Sequence, residues 1–150
     1  MTTVRRILGD GNLTDAFAVR RDVFIDEQGV DTAEEFDGKD DSAIHFVSYV
    51  DSEPVGTLRV RFPDPAVAKV ERVAVLKQYR RRGFGRRLMA AAEAHASEQR
   101  CRQVVLHAQT AVEAFYEQLG YETVSGVFDE AGIPHVKMRK QLQESSREQK

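Results

Sequence analysis

A chain of 150 residues, 41% hydrophobic and 31% charged, can bury one core of its own, and its net charge of −2, from 22 basic and 24 acidic side chains, excludes a general polyanion binder. A lone cysteine, Cys101, excludes an internal disulfide framework and a cysteine-built metal cluster, and suits a reducing compartment. No stretch approaches the roughly 20 apolar residues of a membrane span. Met1-Thr2-Thr3-Val4-Arg5-Arg6 lacks the apolar centre of a signal peptide, so a soluble cytoplasmic protein without membrane contact is expected.

Residues 4–8 read as a short first strand, and Gly9-Asp10-Gly11-Asn12 as the turn into a helix over residues 13–28. On that helix Ala16, Val19, Val23 and Phe24 share one face, while Arg20, Arg21, Asp22 and Asp26 mostly take the other, which is expected to meet water. An acidic loop over residues 31–41 carries Glu34, Glu35, Asp37 and Asp40, and reads either as a solvated charge run or as a lure for a cationic acceptor. Residues 44–50 and 55–62 alternate in polarity around Asp51-Ser52-Glu53-Pro54 and predict a hairpin, closed by Pro63-Asp64-Pro65. Residues 70–76 predict a buried strand, in which Glu71, Val73 and Val75 share one face as long as the strand is regular.

The next helix, residues 84–100, has Phe84, Leu88, Ala91, Ala92 and His95 as its apolar stripe and Arg86, Arg87, Glu93 and Glu98 outside it. Residues 104–108 follow as a strand, then residues 111–119 as a short helix ended by Gly120. Strands at 123–128 and 135–139 flank a turn over residues 129–134. Residues 1–142 are read as a single domain and 143–150 as a polar tail.

Between the strand at 70–76 and the helix at 84–100 lies Arg80-Arg81-Arg82-Gly83-Phe84-Gly85. Gly83 and Gly85 free the backbone to turn tightly, so that successive N–H groups converge on an anion at a helix N-terminus, and Arg80, Arg81, Arg82, Arg86 and Arg87 supply countercharge. No Gly-Lys-Ser/Thr follows, and Leu88 stands where a dinucleotide fingerprint has its third glycine, so neither nucleotide loop fits. The strand, helix, strand order predicts a right-handed parallel crossover with both strands ending on one sheet edge. Tyr116, just beyond the strand at 104–108, should then neighbour the Gly83 loop.

Val73-Ala74-Val75, then Tyr79 to Gly85, then Phe115-Tyr116-Glu117-Gln118-Leu119-Gly120-Tyr121 together resemble the GNAT superfamily of N-acetyltransferases. Arg21-Asp22-Val23-Phe24, Glu27-Gln28-Gly29-Val30 and Gly132-Ile133-Pro134-His135-Val136 are similar to the ElaA-like subgroup, which extends the match over nearly the whole chain. The resemblance implies an α/β fold: a central, mostly antiparallel mixed sheet flanked by helices, with a parallel βαβ crossover at the cofactor site. The sheet would splay after the strand at 70–76 to admit the pantetheine of acetyl-CoA. It further implies acetyl-CoA as co-substrate, no metal, and a primary amine of a small molecule or peptide as acceptor.

By that resemblance Arg80, Arg81, Arg82, Gly83, Phe84, Gly85 and Arg86 hold the cofactor pyrophosphate, backbone N–H groups near Val73 or Val75 face the developing oxyanion, and the Tyr116 hydroxyl protonates the leaving thiolate. Gln109 stands where many members carry a cofactor-contacting asparagine, and Val112 replaces a common alanine. Glu27 and His135, in the subgroup-like motifs, and His107, near the productive end of its strand, are further candidates for the base or for acceptor contacts. His45 is a further candidate, and His95, on the apolar stripe, is assigned no role.

Acetyl transfer to an amine needs a deprotonated nucleophile, a donor to the oxyanion and a proton for the thiolate. A phenol near pKa ~10 gives its proton to a thiolate of pKa ~8.5 at a cost of about 2 kcal/mol in water, which local charge can offset. The alternative for Tyr116 is a core aromatic packing its helix on the sheet. Glu71 is the candidate base, with a salt-bridged strand carboxylate as the alternative. A helix over residues 84–100 spans about 25 Å, which puts Cys101 far from the Gly83 loop and favours direct attack over an acyl-enzyme. Two other readings stay open: a CoA-binding regulatory module without chemistry, and nucleic-acid binding by the arginine run, disfavoured because the interleaved glycines suit a compact phosphate. The C-terminal hairpin offers an edge for pairing two chains into a homodimer.

Overall fold

The computed structural model describes residues 1–142. Its strands are β1 (Thr2–Leu8), β2 (Ile44–Val50), β3 (Glu53–Asp64), β4 (Val67–Val75), β5 (Gln103–Gln109), β6 (Glu122–Thr123), β7 (Phe128–Glu130) and β8 (Ile133–Gln141). They form one mixed sheet in the order β1-β2-β3-β4-β5-β8-β6, with β7 also paired to β8. Only β4 and β5 run parallel; every other paired neighbour is antiparallel.

The helices are α1 (Thr14–Arg20), α2 (Thr32–Glu35), α3 (Phe84–Glu98) and α4 (Glu113–Gln118). α3 is the crossover between β4 and β5, and buries Phe84, Leu88, Met89, Ala92, His95 and Ala96. Leu88 and Met89 join Leu58, Val60, Val70, Val104, Leu106 and Met138 in the main core. The opposite face of the sheet packs against α1 and the helical turns that follow it, where Val19 and Val23 cluster with Ala74, and Ala16 with Val47. Helices therefore cover both faces, as a central sheet with two apolar sides requires.

Four expectations change in the structure. The helix expected over 13–28 is α-helical only to Arg20, and residues Arg21–Glu27 continue as a π-helix. Its wider turn closes with the Gln28 amide on the Val23 carbonyl at 3.1 Å, five residues back, a geometry that recurs at functional sites. Arg20, expected to face water, is 1% exposed. The strand expected over 123–128 is broken: only β6 and β7 pair with β8, and between them the Ser125 hydroxyl accepts from the Lys137 amide at 2.8 Å. The turn expected over 129–134 contracts to Ala131-Gly132, both with positive φ (53° and 76°), the pattern of a two-residue hairpin turn. The tail at 143–150 lies outside the described residues.

Candidate active site

β4 and β5 pair from Val67↔Gln103 to Val70↔Leu106 and then part, which opens a cleft at the C-terminal ends of the two parallel strands. On its other side β4 stays paired with β3, but out of step. Thr57 opposes Ala74 and Arg59 opposes Glu71, so one residue, Leu58, stands against two, Arg72 and Val73. Arg72 has a φ of 59°, the left-handed turn of a bulge. The bulge breaks the parity expected from the sequence: Glu71 shares a face with Arg59 toward α1, whereas Val73 and Val75 pack into the main core beside α3. Glu71 is not on the valine face.

The Gly83 loop sits at the N-terminus of α3. Gly83 has a φ of 85° and caps the helix without a side-chain bond, and Arg81 is also left-handed at 64°. Left-handed residues alternating along a loop turn successive N–H groups inward, the backbone arrangement that cradles phosphates. Gly85 serves a different purpose from the one expected. It lies inside α3, and a Cβ there would stand 3.1 Å from the Phe115 ring. Arg80 is already engaged: it grips Glu27 through two 2.7 Å bonds and donates from Nε to the Val75 carbonyl at 2.9 Å. That grip holds the Glu27 carboxyl below its ordinary pKa. Glu27, expected at the acceptor, therefore braces the arginine loop. Arg82 stacks on Tyr79 and Arg87 on Phe84, while Arg81 and Arg86 stay exposed at the helix tip.

α4 joins the two halves of the site. Phe115 rests on Gly85, and the next residue, Tyr116, lines a cavity of about 280 Å3 in the cleft. Tyr116 is 6% exposed, and burial pushes its phenol pKa upward. Its hydroxyl has no hydrogen-bond partner among the described residues. Val70, Val73 and Leu106 contribute apolar wall, and Gln109 adds an amide that exchanges bonds with Gln28.

The acidic loop is the other wall, and its Glu35, Asp37 and Asp40 carboxylates are neither fully solvated nor free. Arg20, from the end of α1, donates to Glu35 at 2.7 Å and to Asp40 at 2.7 Å. Arg59, fully buried on β3, reaches Asp37, Asp40 and Glu71 at 2.8–3.0 Å. Arg72 holds the carbonyls of Glu34 and Glu35 and the Asp37 carboxylate. The bond from Arg59 holds the Asp37 carboxyl far below its usual range, whereas burial outweighs the arginines at Glu35 and raises it. Burial also acts on Glu71, but the Arg61 bond and the Arg59 and Lys69 charges win, leaving it at about 2. A carboxylate so stabilised is a poor base near neutrality. His45 lies under the same loop, donating from Nε2 to the Asp40 carbonyl at 3.1 Å, and burial lowers its pKa.

On the far wall β5 and β8 bring His107, Gln109 and His135 to one face. The His107 Nδ1–H donates to Glu130 at 2.8 Å, and the His135 Nδ1–H to the Ile133 carbonyl at 2.7 Å. Arg59, Arg72 and Glu130 carry no motif and were not singled out from the sequence. Strand parity was the available signal, since Arg59 opposes Glu71 and Phe128 opposes His135. Cys101 is buried past the far end of α3, with its thiol on the Pro65 carbonyl.

A family model described as the acetyltransferase (GNAT) domain matches residues 15–142. The uncharacterized N-acetyltransferase YjcF of Bacillus subtilis is 41% identical over 129 residues, covering 85% of this chain and 91% of YjcF. An acyl-CoA N-acyltransferase from Pseudomonas aeruginosa superposes with a TM-score of 0.81 at 27% identity, over 93% of this chain and 99% of that one. Escherichia coli ElaA shares the fold, with a TM-score of 0.81 at 24% identity over 93% of this chain and 99% of its own. With its parallel crossover, splayed strands and arginine loop, the chain belongs to the GNAT family of acetyltransferases.

Proposed function

We propose that this acyltransferase moves an acetyl group from acetyl-CoA to a primary amine by direct attack, with Tyr116 protonating the departing thiolate. The observation that carries the reading is the pair of contacts made by adjacent residues of α4, Phe115 on Gly85 of the helix tip and Tyr116 in the cleft. One short helix ties the anion cradle to the reaction cavity. The open N–H groups of the first turn of α3, with Arg81, Arg82 and Arg86, suit a pyrophosphate. Arg80 shapes that loop through Glu27 and the Val75 carbonyl.

Backbone N–H groups near Val73 and Val75, on the strand edge that β5 has left, face the developing oxyanion. Tyr116 suits an acid: burial keeps the phenol protonated across the working range, so its proton is present when a thiolate forms beside it. Gln109 lies where it can meet the cofactor, and His107 and His135 line the acceptor side.

The test is thiol release from acetyl-CoA against a panel of polyamines, amino acids, aminoglycosides and peptide N-termini, repeated with Tyr116→Phe. Amine-dependent release is expected, slowed by roughly 100-fold or more in the variant, with acetyl-CoA binding retained. An undiminished rate removes the tyrosine from the mechanism. Tight acetyl-CoA binding without turnover on any amine favours a CoA-binding regulatory module instead.

A further inference from the structure

The geometry points to His107 as the base that takes the proton from the acceptor ammonium, held in the required tautomer by Glu130. This rests on the acetyltransferase reading above, and concerns the acceptor half of the same cavity. The carboxylate of Glu130 can only accept, so the 2.8 Å bond from His107 requires the proton on Nδ1, and in the neutral imidazole the lone pair is then on Nε2. That nitrogen has no hydrogen-bond partner among the described residues, and His107 lines the same cavity as Tyr116. It lies one residue past Leu106, the last point at which β5 still pairs with β4.

The surroundings fix the ring. Phe128 meets His107 edge-on at 5.0 Å between centroids and stacks on His135 at 6.2 Å. His135 is itself anchored through Nδ1 to the Ile133 carbonyl, so its Nε2, 3.8 Å from Glu130, is too distant to compete for the carboxylate. Of the cavity carboxylates, Glu71 and Asp37 are consumed by arginines, whereas Glu130 is bonded to histidine and is half exposed, so a proton taken by His107 can leave to solvent. A base oriented by a second group is the arrangement that recurs at sites of nucleophilic attack.

The protons balance. His107 Nε2 takes one proton from the ammonium, and the neutral amine attacks the thioester carbon, forming the N–C bond. As the C–S bond breaks, Tyr116 gives its proton to sulfur and recovers one from the nitrogen. The imidazolium then releases its proton to water, so amide, thiol and one free proton result.

The experiment compares an alkylamine with the alkoxyamine of equal chain length, whose nitrogen is already unprotonated at neutral pH, in wild type, His107→Gln and Glu130→Gln. His107→Gln is expected to lose alkylamine turnover by at least about 100-fold while keeping alkoxyamine turnover within about fivefold, and Glu130→Gln to fall between. Equal losses on both nucleophiles would mean that the histidine only shapes the pocket. Nitrogen NMR on the wild type should find His107 as the Nδ1–H tautomer; the Nε2–H tautomer overturns the proposal without any acceptor. If wild type binds acetyl-CoA but acetylates no amine, the acetyltransferase reading falls with it. If wild type and His107→Gln acetylate alkylamines equally, only the histidine falls.

Discussion

Replacing Glu71 by glutamine separates an anchoring carboxylate from a catalytic one. Its side chain is 12% exposed and meets Arg59 at 2.9 Å, Arg61 at 2.7 Å and Lys69 at 3.2 Å. Together these cations overcome the cost of burial and bring the carboxyl from an ordinary 4.5 to about 2. At 1.36 kcal/mol per pKa unit, the ionised form contributes on the order of 3 kcal/mol to folding. The sign follows from a depressed folded pKa: the stabilisation is complete above pH ~4.5 and disappears as pH falls toward ~2.

Urea unfolding of wild type and Glu71→Gln at a series of pH values should therefore show a gap of about 3 kcal/mol at pH ~7 that narrows steadily below pH ~4.5. Thiol-release activity, normalised to folded protein, should retain its pH profile in the variant. A gap below about 1 kcal/mol, or one independent of pH, would refute the anchoring role. Loss of the acidic limb of the activity profile would return Glu71 to the mechanism.

Arg20→Met is expected to cost about 2–4 kcal/mol, because it takes one of two arginine partners from each of the buried carboxylates, leaving Glu35 with Arg72 and Asp40 with Arg59, whereas Arg21→Met, one residue on and exposed, should stay within about 0.5 kcal/mol; chemical denaturation decides. Gly83→Ala forces a side chain into a φ of 85° and should cost about 1 kcal/mol and raise KM for acetyl-CoA more than it lowers kcat. Gly83→Asn, whose residue type tolerates that conformation, should lose less, and an equal loss would show that something other than backbone strain is at work.

The order of strands and helices was legible because alternation and helical spacing are local, and the two motif halves at Gly83 and Tyr116 lie on elements that the crossover brings together. Long-range pairing was not legible. Arg20 reads as a surface residue from helical spacing alone, and only the fold of the acidic loop, with Asp40 and Glu35 arriving at its guanidinium, makes it interior. Periodicity cannot announce a bulge either, so the face of Glu71 came out inverted, and Gly85 carried two meanings in sequence that only the Phe115 ring distinguishes. Glu130 was hidden inside a turn drawn too long; a two-residue turn at Ala131-Gly132 aligns it with Phe128 and His135.

The extra residue at Arg72 sets the phase of β4 as a whole. On one side of it the strand presents charge to the acidic loop; on the other it presents valines to the main core beside α3. Gain or loss of a single residue here would exchange those two sides at once, so length cannot drift at this point. On the acetyltransferase reading proposed above, variation in the acceptor belongs to the acidic loop and the hairpin around Glu130, while the donor end keeps its geometry. On that reading the acceptor half is free to diverge because β4 divides the two duties along its length.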